Sequence, residues 1–175
     1  MTNIALFGAG RIGAMHADIL HSLPDVNLKY LSDPVSAAAE AVAGKVGAEV
    51  VEIDHALNDP EVDAVLIASS TDTHADLIER SARAGKAIFC EKPIHLDSDR
   101  VRECLAVVQE TSALLAIGFN RRFDPHFARF KAQLDAGAIG ELELLSITSR
   151  DPAPPPVSYI KVSGGIFHDM MIHDL

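Results

Sequence analysis

The stretch GAGRIG, residues 8–13, directly follows the apolar run NIALF and opens a segment in which Ile12, Met15, Ile19, Leu20 and Leu23 recur at helical spacing. Strand, glycine turn and helix in that order constrain the fold more than any other feature of the chain. Gly8 permits the tight turn, Gly10 lets the backbone approach a pyrophosphate, and Gly13 lets helix and strand pack closely. Arg11 and Ile12 begin the helix, whose first N–H groups and positive dipole end suit phosphate oxygens. Pro24 stops the helical pattern.

Asp33 closes the next apolar run, NLKYLSD, 20 residues beyond Gly13. A carboxylate there accepts both ribose hydroxyls of a dinucleotide and repels a 2′-phosphate. The next basic residue, Lys45, is too far along the following helix to compensate. NAD is therefore expected over NADP.

The same alternation continues to about residue 120. The alanine-rich segment 36–47 reads as a helix closed by Gly47, residues 48–53 as a weak third strand, and residues 62–69 as a continuous buried strand. A helix over 73–86, a strand over 87–93, a helix over 97–112 and a strand over 113–119 complete the series. Short connections between alternating strands and helices predict an α/β, Rossmann-type doubly wound parallel sheet across residues 1–120.

Residues 121–175 change character. A helix over 123–137 with a glycine stop precedes a half-alternating run at 141–150 that reads as a longer strand, and then the rigid loop DPAPPP. This is the expected start of an α+β substrate domain, too small for a core of its own, because a lone strand needs partners.

Composition narrows the partners. The 25 acidic against 15 basic residues give a net charge of −10, which disfavours nucleic acid. No apolar run approaches a membrane span, and Cys90 and Cys104 lie in apolar segments, as suits reduced thiols in a cytoplasm.

Ligands of open α/β sheets bind beyond the carboxyl ends of the strands. Three such ends carry chemistry: SSTDTH at 69–74, CEKP at 90–93 and GFNRRFD at 118–124. Ser70, Thr71, His74, Glu91 and Lys92 are thereby expected at the cofactor. Thr71, Asp72 or Thr73 could instead cap the following helix, and a structural role for His74 fits the pattern as well as a functional one. Lys92, between an apolar strand and Pro93, is confined to the strand's end.

Taken in order, GAGRIG, STDTH, EKP, GFNRRFDP and the ending SGGIFHDMMIHDL resemble the Gfo/Idh/MocA oxidoreductases along the whole chain. Within that family the resemblance is to the branch acting on cyclic polyols such as myo-inositol, and the chain looks like the N-terminal part of such an enzyme. The resemblance implies oxidation of a ring hydroxyl by hydride transfer to NAD, in a cytoplasmic homo-oligomer, a tetramer. Lys92, Asp169 and His173 are then the catalytic residues, and they line the substrate together with Asn120, Arg121 and Arg122, with Lys161 nearby. A charged surface turn is the alternative for Asn120, Arg121 and Arg122.

Residue chemistry agrees with those roles. Removing a hydroxyl proton calls for a base of near-neutral pKa, which His173 supplies. Asp169 lies four residues earlier, on the same face of a helix, and can orient the imidazole or bind a neighbouring hydroxyl. Lys92 as an ammonium stabilises the developing alkoxide. A metal reading of the ending is weak, because His168 and His173 are five residues apart and diverge on a helix. No metal is expected. Two other functions stay open: a different sugar or polyol dehydrogenase, and a catalytically silent NAD-binding or sensing module.

Overall fold

The computed structural model describes residues 1–150, 153–155, 157–160 and 163–174, so Lys161 and Leu175 lie outside the described residues. The chain divides into two units, Met1–Gly118 and Phe119–Leu175.

The first unit is built on six strands: β1 (Thr2–Phe7), β2 (Val26–Ser32), β3 (Glu49–Val50), β4 (Ala64–Ile67), β5 (Ala87–Cys90) and β6 (Leu115–Ile117). Their order across the sheet is β3-β2-β1-β4-β5-β6, and every neighbouring pair is parallel. Chain direction across the sheet therefore reverses between β1 and β4, which opens a crevice at the carboxyl ends of those two strands.

Helices cover both faces because the strands are apolar on both. On one side α1 (Arg11–Ser22) and α2 (Ser36–Val46) bring Ala17, Leu20, Ala39, Val42 and Val46 onto Leu6, Leu28, Leu31 and Leu66. On the other, α3 (Ile53–Asn58), α4 (Thr71–Arg83) and α5 (Ser98–Thr111) cover Ala5, Phe7, Val65, Ile67 and Ile88. The period of two along β1 thus sends Leu6 to one core and Ala5 and Phe7 to the other. Helix α2 ends on Gly47 at φ +76°, as its position after the alanine run predicts. Asp97 caps α5 by accepting from the Asp99 amide at 2.8 Å.

The third strand is shorter than the sequence suggests. Only Glu49 and Val50 pair, with Tyr30 and Leu31, and the chain then enters helix α3 rather than continuing extended to residue 53. Ile53, Ala56 and Leu57 recur at helical spacing, and burial of Ala56 and Leu57 in the core holds that turn.

The second unit contains a 3₁₀ turn (Asn120–Phe123), α6 (Pro125–Asp135), α7 (Val157–Ile160), α8 (Gly165–Asp169) and a second 3₁₀ turn (Met171–His173). Asp124 caps α6 through the amides of His126 and Phe127, with Pro125 as its first residue. Residues 141–150 form no strand, contrary to the sequence pattern. Leu142, Leu144, Leu145 and Ile147 are exposed there, and an extended segment without a ladder partner gains neither backbone bonds nor burial. Among the described residues no helix is long and apolar enough to cross a membrane.

Charged groups close the amino-terminal edge of the sheet, away from the crevice. Lys29 Nζ lies 2.7 Å from Asp59 Oδ2 and 2.5 Å from Glu61 Oε2, and the Tyr30 hydroxyl donates to Asp59 at 2.9 Å. The buried Lys86 ammonium is held by the Asp59 and Val62 carbonyls at 2.7 and 2.8 Å. Chiefly through the Lys29 hydrogen bond, the Asp59 carboxyl is lowered from 3.8 to about 2. A depressed folded-state pKa stabilises the fold above the ordinary value, and that contribution is lost as pH falls toward about 2. Thermal unfolding followed from neutral pH into this window should show Asp59→Asn losing less stability than the parent protein. Parallel curves for the two would contradict the assignment.

Candidate active site

The carboxyl edge of the sheet is assembled from the turn after β1. Gly8, at φ +106°, donates its amide to the Ser32 carbonyl at 2.8 Å, which draws the end of β2 against the turn. A Cβ on Gly8 would stand 2.5 Å from the Ala68 carbonyl oxygen, and one on Gly13 only 1.9 Å from the Gly8 oxygen. No side chain fits at either place. Gly10 differs: a Cβ there meets nothing within 4 Å. That open space lies in front of the first turn of α1, where the N–H groups of Arg11, Ile12 and Gly13 have no helical acceptor. A phosphate fits such a cradle, and a side chain at Gly10 would fill it.

Asp33 sits beside the turn. Its Oδ2 accepts from the Ala9 amide at 2.7 Å and its Oδ1 from the Val35 amide at 2.8 Å. Each oxygen has a second lone pair, so the fixed carboxylate can still accept from a vicinal diol.

Across the crevice, β4 leads into Ser69 and Ser70. The Ser69 and Thr73 hydroxyls are 2.7 Å apart, and Thr73 donates both its amide and its hydroxyl to the Ser70 carbonyl. Ser70 is the N-cap position and Thr71 the first residue of α4, so Thr73 lies inside the first turn. His74 is buried, with Nδ1 2.8 Å from the Pro93 carbonyl oxygen and Nε2 3.0 Å from that of Ser69. Both ring nitrogens face main-chain carbonyl oxygens.

Strand β5 delivers Cys90, Glu91 and Lys92 to the same edge, with a cis peptide bond between Lys92 and Pro93. The Glu91 amide donates to the Ile67 carbonyl at 2.9 Å, and its Oε1 lies 2.7 Å from Nε2 of His16 on α1. The His16 ring meets Phe89 edge-on, with centroids 5.6 Å apart. Burial alone would raise the Glu91 carboxyl. The hydrogen bond and charge of His16, with the Lys92 amide and ammonium, reverse that and hold it below the ordinary value. Gly118 packs directly on this carboxylate, since a Cβ there would lie 3.1 Å from Oε2. Burial, and then the charge of Glu91, push the Cys90 thiol well up, so it is no nucleophile.

Gly8, Gly10, Arg11, Ile12, Gly13, Asp33, Ser70, Thr71, Glu91 and Lys92 therefore share one edge of the first unit. His16 escaped the sequence reading. Its signal was available, because it lies three residues after Gly13 and so on the helix face that packs toward the sheet.

The remaining expected residues belong to the second unit. Asn120 and Arg122 are exposed in the first 3₁₀ turn. Arg121 is engaged: it donates to the Ser149 hydroxyl at 2.7 Å, pairs with Asp174, and lies 5.4 Å from the Phe127 ring centroid. Asp169 ends α8 and His173 ends the following 3₁₀ turn, so one continuous helix does not carry both. The His173 amide bonds to the Met170 carbonyl three residues back, a tightening common at helix ends. His168 is exposed, its Nδ1 3.1 Å from the Gly164 carbonyl oxygen. Among the described residues no group of three His, Cys, Asp or Glu side chains is placed to hold a metal ion.

A parallel sheet with its glycine turn at the switch point, and an acid at the end of the second strand, define a dinucleotide-binding Rossmann protein. Residues 2–119 match the GFO_IDH_MocA model, described as the oxidoreductase family with NAD-binding Rossmann fold, and the chain belongs to that family. It is 60% identical over 169 residues to inositol 2-dehydrogenase of Rhizobium meliloti (strain 1021), covering 97% of this chain and 51% of that relative. Its fold is similar to a myo-inositol dehydrogenase from Corynebacterium glutamicum ATCC 13032, with TM-score 0.92 and 46% identity over 99% of this chain and 53% of that one. Scyllo-inositol dehydrogenase from Lactobacillus casei, solved with bound NAD(H) and scyllo-inositol, matches at TM-score 0.86 and 32% identity, covering 99% of this chain and 54% of that one. The chain spans about half the length of the relatives it matches.

The glycine contacts separate two roles. Gly10→Ala should unfold within about 3 °C of the parent while its dinucleotide affinity falls about tenfold or more. Gly13→Ala should lose about 3 kcal/mol or more of stability through overpacking. Calorimetry and dinucleotide titration read both, and equal stability of the two variants would contradict the close approach.

Proposed function

We propose that the protein is an NAD-dependent dehydrogenase that oxidises a ring hydroxyl of myo-inositol, or of a closely related cyclic polyol, to the ketone. The observation that carries this reading is Lys92 at the end of β5, on the same sheet edge as the glycine turn and Asp33. Similarity to inositol dehydrogenases supports the substrate class.

NAD, when bound, supplies the hydride acceptor. Gly10 and the first turn of α1 bind its pyrophosphate, and Asp33 accepts from the ribose hydroxyls. His173 takes the hydroxyl proton as general base. Asp169 orients that imidazole or accepts from an adjacent substrate hydroxyl. The Lys92 ammonium donates to the reacting oxygen and stabilises it as alkoxide character grows. Asn120 and Arg122 contact the substrate's other hydroxyls, and Arg121 holds their turn through Asp174 and Ser149. A cytoplasmic homotetramer is part of the same proposal.

Purified protein given NAD and a panel of inositols and sugars should form NADH fastest with an inositol. Turnover of another sugar alone would move the protein to a different polyol dehydrogenase. NAD binding without any turnover would favour a silent NAD-binding module. Lys92→Ala should lower kcat by about 100-fold or more while leaving NAD affinity in place. Unchanged kcat would remove Lys92 from the mechanism, and tighter binding of NADP than of NAD would overturn the role of Asp33.

A further inference from the structure

Lys92 lies between two residues that are each gripped by a histidine from a different helix. On its amino side, the Glu91 carboxylate meets His16 of α1 at 2.7 Å. On its carboxyl side, the Pro93 carbonyl oxygen meets His74 of α4 at 2.8 Å. These two helices flank the crevice from opposite faces of the sheet.

We infer that His16 and His74 are positioning residues that form a two-point mount for the Lys92 segment. The inference rests on the proposed role of Lys92 and adds two residues that touch neither cofactor nor substrate in it.

Each grip is built into the fold. The His16 ring makes an edge contact with Phe89, two residues before Glu91 and on the same face of the strand. Its side chain and that of Glu91 are only 15% and 22% exposed, so water competes weakly for the bond. Gly118 closes the far side of the carboxylate, and its amide donates to the Cys90 carbonyl at 2.8 Å. His74 is 2% exposed, and its ring lies between the Ser69 carbonyl after β4 and the Pro93 carbonyl after β5. Both of its partners only accept. A neutral ring therefore donates to one of the two carbonyls, to Pro93 when Nδ1 carries the proton, and a ring protonated on both nitrogens donates to both.

The geometry explains why a lysine on a loop can be placed well enough for chemistry. An ammonium displaced by about 1 Å loses much of its effect on a developing alkoxide. The Lys92 main chain lies beyond Cys90, the last paired residue of β5, and the two histidines meet the residues on either side of it. Glu91 is thereby a link between the dinucleotide helix and the catalytic lysine.

Hydrogen exchange of the intact 175-residue chain, followed by mass spectrometry, tests the mount without needing turnover. His16→Leu and His74→Leu should each raise exchange across residues 91–97 by about tenfold or more. Residues 4–7 and 64–67 should stay within about twofold of the parent. His16→Gln, whose amide can reach Glu91, should restore most of the protection, and the exposed His21→Gln should change nothing. Should His74→Leu fail to fold, His16→Leu against His16→Gln decides alone. A folded His16→Leu with unchanged exchange over 91–97, or no rescue by Gln, overturns the mount. Where the chain turns over, His16→Leu should lower kcat about tenfold with the KM for NAD nearly unchanged, and an unaltered kcat removes the catalytic part of the inference. Absence of turnover in the parent would count against the dehydrogenase reading and leave the exchange result to stand by itself.

Discussion

The closeness of helix α1 to the turn before it governs the whole carboxyl edge of the sheet. Gly13 lies so near the Gly8 carbonyl that a single added carbon would collide with it. That contact sets the direction of the helix, and so aims its first N–H groups into the crevice between β1 and β4. It also fixes where His16 lies, one turn further on, and through His16 the carboxylate of Glu91. Binding and catalysis in this account thus share one mechanical origin. The same glycine packing that makes room for a dinucleotide places the helix that carries His16.

The main-chain groups at the floor of the crevice are hydrogen-bonded within the protein. Ser32, Ala68 and Ser69 main-chain groups are bonded to Gly8, Phe7 and His74, respectively. Asp33 accepts from amides on both sides. Preorganisation of this kind lowers the ordering cost of binding, since the acceptors need no rearrangement. The charged cluster of Lys29, Asp59 and Glu61 lies at the other edge and contributes to stability rather than to the site.

Much of this was legible in the sequence, for physical reasons. Short continuous apolar runs such as those ending at Phe7 and Ile67, bounded by turn residues, suit strands covered on both sides, and the glycine turn with Asp33 has a defined stereochemistry. Residues 48–53 misled because a short apolar alternation is compatible with either period; two residue pairs formed, and burial of Ala56 and Leu57 holds a helix that starts at Ile53. Residues 141–150 carry a strand pattern that no partner completes among the described residues. Asp169 and His173 keep the spacing of one helical face, yet a 3₁₀ turn intervenes, which spacing alone cannot reveal. The histidines are the instructive case. His74 was visible as a strand-end residue, but one of its carbonyl partners, Pro93, lies 19 residues away on the next strand's end, and only the fold unites them.

The central claim is hydride transfer from a ring carbon to NAD, and isotopic labelling tests it most directly. Myo-inositol deuterated at its ring carbons, incubated with the protein and NAD, should yield reduced nicotinamide that carries one deuterium by mass spectrometry. Reduced nicotinamide without the label, or none at all across the inositols, would contradict the account.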